Sequence, residues 1–222
     1  RRIYMSARIG VITPMDNAMD AVAEAFADVW PECEPITVLD ESLYADYGGG
    51  KGVTDETYER MLVLLQYAQN FGADGIVFCG SVFGRVVEAT REQITVPVLS
   101  AQESMIEEAF AAGSRFGILT TVSGSLQCLL DDIERYSQEH SKPYTLVQHV
   151  EDAARPIILA GDVETHDRMV ADAADRMTEC DCLMLGQFSM TSAVKQFTDM
   201  PHRPVLTAPH TSVRKLKRLL GA

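Results

Sequence analysis

Cys79, Gly80 and Ser81 follow directly on the apolar run Gly75-Ile76-Val77-Phe78, and Gln187, Phe188 and Ser189 stand just beyond the similar run Cys182-Leu183-Met184-Leu185. A thiol at such a place can serve as nucleophile, proton donor or, once ionised, base. It can equally be a small buried apolar residue. A glutamine amide and two serine hydroxyls can hold the oxygen of a carboxylate or carbonyl, or satisfy the loop backbone. Thr13, Asp16 and Asn17 form a third polar group, and Thr120, Thr121 and Ser123 a fourth. Each lies between an apolar run and a helical stretch, where side-chain oxygens cap helices and helix N-termini attract anions. Asp16 is in addition a candidate general base. Ser100 and Thr207 close two further apolar runs, and His210 is a candidate acid/base at the head of the last helix.

Positioning these groups requires strands whose ends carry them. Buried strands are expected at 8–13, 35–39, 75–78 and 96–99, then again at 116–119, 145–148, 182–185 and 205–206. Helical periodicity fills 18–29, 54–70, 82–92, 125–138, 162–178, 191–197 and 210–220. Strands alternating with helices predict an α/β fold with parallel sheets covered by helices. The stretch Tyr44-Ala45-Asp46-Tyr47-Gly48-Gly49-Gly50-Lys51-Gly52 reads as a surface loop or as a lid that brings Lys51 or a tyrosine to a substrate.

The series is written twice. Arg8-Ile9-Gly10-Val11-Ile12-Thr13 matches Arg115-Phe116-Gly117-Ile118-Leu119-Thr120, Asp74 matches Asp181, and Pro97-Val98-Leu99 matches Pro204-Val205-Leu206, all at an offset of 107. One register across three strand edges predicts an internal duplication: two pseudo-symmetric flavodoxin-like lobes. The division expected is 1–98 with 208–222 as one lobe and 99–207 as the other. In open parallel sheets ligands sit beyond the carboxyl ends of the strands, so the site is expected in the cleft between lobes.

The charge narrows the ligand. With 32 acidic and 19 basic residues the net charge is −13. That argues against a nucleic-acid surface and against anionic membranes, and no apolar run has the length of a membrane span. Residues 1–7 carry no apolar stretch of signal-peptide type, and Met5 is a candidate native start, with Arg1 to Tyr4 added ahead of it. Five cysteines (Cys33, Cys79, Cys128, Cys180, Cys182) make an odd set that suits a reducing cytoplasm better than a disulfide framework. Cys180 and Cys182 lack a second pair, and His140, His149, His166, His202 and His210 lack ligand spacing, so no metal is expected.

The segments Asp74 to Ser81 and Asp181 to Ser189, with the strand signatures ending in Thr13 and in Thr120-Thr121, resemble the aspartate/glutamate/hydantoin racemase superfamily. The resemblance implies cofactor-independent carbon-acid chemistry, a small carboxylate or cyclic amide substrate, and a homodimer. It also implies two cysteines, one at the end of each lobe's third strand, facing opposite sides of the substrate. Those cysteines fall six residues after the aspartate, which here gives Gly80 and Gln187; Cys79 stands one residue early, opposite Gly186 in the repeat. The related arylmalonate decarboxylases likewise have glycine at the first position but keep the second cysteine. With at most one placed thiol, a one-base or nucleophilic reaction is expected rather than symmetric racemisation. The expected activity is therefore that of a racemase, an isomerase or a decarboxylase-like lyase. Cys79 would be the catalytic group, with Thr13, Asp16, Asn17, Gly80, Ser81, Thr120, Thr121, Ser123, Gln187, Phe188 and Ser189 binding substrate. The alternatives are a non-catalytic small-molecule binder on the same scaffold, and a hydrolase using Cys79 or Ser81.

Overall fold

The structure, a computed structural model, describes residues 6–197 and 203–222, apart from the side chain of Asn17. The expectations about Arg1 to Met5 and about His202 fall outside the described residues. The chain divides into two compact α/β units, the first running to Ala101 and taking back Ser212–Ala222, the second being Gln102–Thr211.

The first unit holds β1 (Arg8–Thr13), α1 (Met19–Val29), β2 (Glu34–Leu39), α2 (Ser42–Asp46), α3 (Asp55–Asn70), β3 (Gly75–Phe78), α4 (Gly84–Thr90) and β4 (Val98–Leu99). Its four strands are all parallel, in the order β2-β1-β3-β4. β3 is buried at every position, whereas β2, on the edge, has no buried residue. That difference explains why Gly75–Phe78 reads as a continuous apolar run while Glu34–Leu39 mixes polar and apolar residues. Phe78, Phe83, Met61, Leu65 and Ile76 build the core between the sheet and α3 and α4.

The second unit holds α5 (Glu103–Ala112), β5 (Arg115–Thr120), α6 (Ser123–His140), β6 (Thr145–Val150), α7 (Ala154–Leu159), α8 (Val163–Arg176), β7 (Cys182–Leu185) and β8 (Val205–Thr207). Its strands are parallel in the order β6-β5-β7-β8, the order of the first sheet. The pairing repeats as well: Gly10 lies beside Ile76, and Gly117 beside Leu183, at the same offset of 107. Two clusters fill this unit, one around Phe116, Ile118 and Leu129 and one around Val170, Leu183 and Leu185. α9 (Ala208–Leu219) begins beyond β8, and its later turns return to the first unit, where Lys217 Nζ donates to Val29 O at 3.0 Å.

Asp74 and Asp181 show why an aspartate marks each repeat. The Asp74 carboxylate accepts the Arg8 backbone N–H at 2.8 Å, while its own N–H donates to Arg8 O at 2.7 Å. Asp181 accepts from both Ser114 N and Arg115 N at 2.9 Å, and its N–H donates to Arg115 O at 2.7 Å. Each therefore ties the approach to the third strand of its sheet onto the start of the first. The backbone donors hold the Asp181 carboxyl below the usual carboxylate range.

Several sequence expectations are corrected. Helices α2, α5 and α7 arise where no element is read from the alternation. The stretch expected as helix at 82–92 is α-helical over Gly84–Thr90, with 3-10 turns at either end, Ser81–Phe83 and Arg91–Gln93, whereas the one expected at 191–197 belongs to the 3-10 stretch Phe188–Gln196. The glycine-rich stretch is helical from Ser42 to Gly49 and kinks at Gly50, whose φ is 89°, and both Lys51 and Arg60 pair with the Asp46 carboxylate, at 2.8 and 3.2 Å.

Candidate active site at the strand ends

In each sheet the chain leaves its first strand for a neighbour on one side, then places the third and fourth strands on the other. The reversal falls between β1 and β3, and between β5 and β7. At such a switch point the crossovers diverge and leave room for a ligand beyond the carboxyl ends. The residues at that place are Thr13-Pro14 and Cys79-Gly80 in the first unit, and Thr120-Thr121 and Gly186-Gln187 in the second. Both ladders run one step past the strands: Cys79 N–H donates to Ile12 O at 2.8 Å, and Gly186 N–H to Leu119 O at 2.9 Å. Continuing the register sets Pro14 opposite Gly80 and Thr121 opposite Gln187.

In the second unit this facing pair is bonded. Gln187 Oε1 accepts from Thr121 N at 2.6 Å and from Thr121 Oγ1 at 2.9 Å. A backbone N–H can only donate, so the carboxamide oxygen must face Thr121 and the amide nitrogen is turned away. Beside them, Thr120 is fully buried and its hydroxyl has no hydrogen-bond partner among the described residues. Gly186 is required by close approach: a methyl there would come within 2.5 Å of Thr120 Cγ2. Ser123 is the exposed first residue of α6, and Phe188 and Ser189, both half-buried, open the 3-10 turn after β7. Neither serine nor threonine caps α6; its N-cap is Val122, with no side-chain bond.

The first unit has a different chemistry at the matching place. A methyl at Gly80 would meet Phe78 Cε1 at 2.7 Å, Pro14 Cγ at 2.9 Å and Phe83 Cδ2 at 3.3 Å. Phe83 in turn packs edge-on against Tyr44 and Tyr47, with ring centroids 5.4 and 5.7 Å away. An apolar plug thus backs the glycine. Thr13 is buried and its hydroxyl donates to Met15 O at 2.7 Å, a local turn. Ser81 is half-buried at the start of a 3-10 turn and does not cap the following helix. Asp16 is exposed in the 3-10 turn before α1, whose N-cap is Ala18, so Asp16 does not cap that helix. The Asn17 side chain lies outside the described residues.

Cys79 is 4% exposed, and burial pushes its thiol from 9.0 up to about 12. Cys182, also buried, and Cys33 are likewise pushed up to about 12, chiefly by burial, and Cys128 and Cys180 are raised for the same reason. All five are therefore thiols at neutral pH: each carries a proton it could give to a strongly basic carbanion, although burial makes it a weaker acid, and none is a ready base. At the end of β8, Thr207 Oγ1 lies 2.8 Å from His210 Nδ1, a pairing across one helical turn that sequence reasoning missed although both residues were candidates. Ser192 and His166 both bond to Asp167 Oδ1, at 3.0 and 2.8 Å. The serine thus reaches the carboxylate rather than the imidazole, which is not the arrangement of a hydrolase relay. Among the described residues, no group of three histidine, cysteine or acidic side chains could hold a metal ion, and no helix is long and apolar enough to cross a membrane.

Residues 9–216 match the family model for Asp/Glu/Hydantoin racemase. No curated protein matches the sequence. Among solved structures, the chain is similar to allantoin racemase from Klebsiella pneumoniae, at 21% identity and a TM-score of 0.72 over 97% of this chain and 88% of that one. An aspartate racemase homologue from Pyrococcus horikoshii gives 17% identity and a TM-score of 0.70, over 97% and 99% of the two chains. Unliganded arylmalonate decarboxylase gives 16% and 0.67, over 98% and 94%. At these identities the likeness shows the fold.

Proposed function

The chain belongs to the Asp/Glu/hydantoin racemase family, and from that premise we propose that it is a cofactor-independent enzyme acting at the carbon next to a carboxylate or carbonyl of a small acid or hydantoin-like substrate. The observation that carries this reading is the bonded pair Thr121–Gln187 at the switch point of the second sheet, beside the buried, unpartnered hydroxyl of Thr120. Hydrogen-bond donors fixed at a strand end and close to a helix N-terminus stabilise the negative charge that develops on oxygen when the neighbouring carbon becomes a carbanion. Ser123, Phe188 and Ser189 add to that binding group; Thr13, Asp16, Asn17, Gly80 and Ser81 are the further substrate-binding residues, and Cys79 supplies the proton.

The thiol chemistry favours a reaction that delivers one proton over one that exchanges two. Decarboxylation of this type breaks a C–C bond with release of carbon dioxide, leaves an enediolate held by donors, and ends when the protonated thiol gives its proton to carbon and the resulting thiolate is reprotonated from solvent. Racemisation needs in addition a base on the opposite face, and Gln187 is not one. We further propose that the enzyme works as a homodimer in the cytoplasm, the latter on the strength of its five free cysteines.

A second reading, a non-catalytic small-molecule binder, is favoured by one specific observation: all five thiols are raised, so none offers a ready thiolate. The test is incubation of candidate hydantoins, malonates and small dicarboxylates in deuterated buffer. An enzyme places solvent deuterium at the reacting carbon, and Cys79→Ala abolishes that incorporation; a binder retains affinity with no incorporation.

A further inference from the structure

The fixed amide at the second switch point has a polarity, and that polarity selects the ligand. We propose that Gln187 is a donor-only recognition residue. It requires an oxygen acceptor of the substrate, a carboxylate or an enolate-type oxygen, and excludes ammonium or other donor groups from that position. The inference rests on the substrate placement proposed above.

A carboxamide carries one acceptor oxygen and two N–H donors. Gln187 Oε1 is taken up by two donors of Thr121, its backbone N–H at 2.6 Å and its hydroxyl at 2.9 Å. Rotating the amide by half a turn would set NH2 against a backbone N–H, two donors face to face. The orientation is thus dictated by a group that cannot change role. Among the described residues no partner takes the two Nε2 hydrogens, and they remain for a ligand. The threonine hydroxyl spends its proton on the same oxygen, which leaves Thr120, buried and unpartnered, as the neighbouring hydroxyl with a proton to give. Gly80, the counterpart of Gln187 in the first unit, has no side chain to offer, and Pro14, Phe78 and Phe83 pack against it. Recognition through Gln187 therefore suits small acids that present an acceptor oxygen there and disfavours an ammonium at that position.

Titration calorimetry with malonate, and with hydantoin as a second probe, tests this on the intact chain. Wild type should bind malonate. Gln187→Glu keeps the shape and the bonds from Thr121 but presents a second acceptor to the ligand, and should weaken binding by about 100-fold near neutral pH. Lowering the pH through the titration of the introduced carboxyl restores a donor, so the ratio of variant to wild-type affinity should climb back towards one. Gln187→Leu should lose a comparable amount with no recovery on acidification. Retention of wild-type affinity by Gln187→Glu, or a loss that acid does not reverse, would overturn the donor assignment while leaving the functional reading in place. If wild type binds neither malonate nor hydantoin, the functional reading fails and takes this inference with it.

Discussion

At the scale of single residues, the five thiols behave as one class because burial sets their proton affinity. A thiol that stays protonated to about pH 12 in the folded chain, as Cys79 and Cys182 do, ionises near 9.0 once exposed by unfolding. Their contribution to stability is therefore complete below pH 9 and is lost as the pH rises from there towards 12. Unfolding by urea should show a constant midpoint from neutral pH to about 8.5, then a decline of up to about 1.4 kcal/mol per pH unit for each such thiol. Cys79→Ala should remove its share of that slope. Alkylation by iodoacetamide at neutral pH should spare Cys79 and Cys182 until the chain is unfolded. Gly80 makes a second residue-scale test. Introducing the cysteine that the family resemblance expects there must displace Pro14 or Phe78, so Gly80→Cys should cost about 1–3 kcal/mol in the same measurement. The glycine was legible in the sequence as a departure from the motif. Its cause was not, because the packing of Phe83 and Pro14 against it depends on how the 3-10 turn folds back.

At the scale of elements, each strand end is held by features that repeat. The aspartate before β3 and β7 bonds the backbone at the start of β1 and β5, and a glycine lies midway along each of these first strands. Asp181→Ala should lower the unfolding midpoint and weaken amide-exchange protection at the head of β5, with α1 unaffected. The carboxyl's depressed titration adds a pH signature: its contribution is present above the ordinary carboxylate range and is lost on acidification through its lowered value. Gly186→Ala should disturb Thr120 at 2.5 Å and, by pushing β7 from β5, the Thr121–Gln187 bonds one step beyond. The strands, their parallel pairing and the longer helices follow from alternation in the sequence. Helix α5 carries a readable apolar stripe, Met105, Ile106, Ala109 and Phe110, and matches α9 at the 107-residue offset; reading by alternation alone passes over it. The 3-10 turns after β3 and β7 were not legible, since their helical spacing is indistinguishable from that of an α-helix over so few residues.

At the scale of the whole molecule, two units with one strand order carry different groups at corresponding places: a buried thiol beside an apolar plug in one, a locked amide donor in the other. The 107-residue offset made those places comparable from sequence, and it identified Gly80 and Gln187 as the altered pair. The direction of the amide was beyond the sequence, because it depends on a backbone N–H one strand away. We propose that this unequal pair still supports proton delivery to carbon without a cofactor. The decisive measurement is mass spectrometry of products formed in deuterated buffer from a panel of substituted malonates and hydantoins, with no metal or cofactor added. One solvent deuterium is expected at the carbon next to the carboxylate or carbonyl, dependent on Cys79. Binding of those same compounds without any deuterium in product or recovered substrate would contradict it.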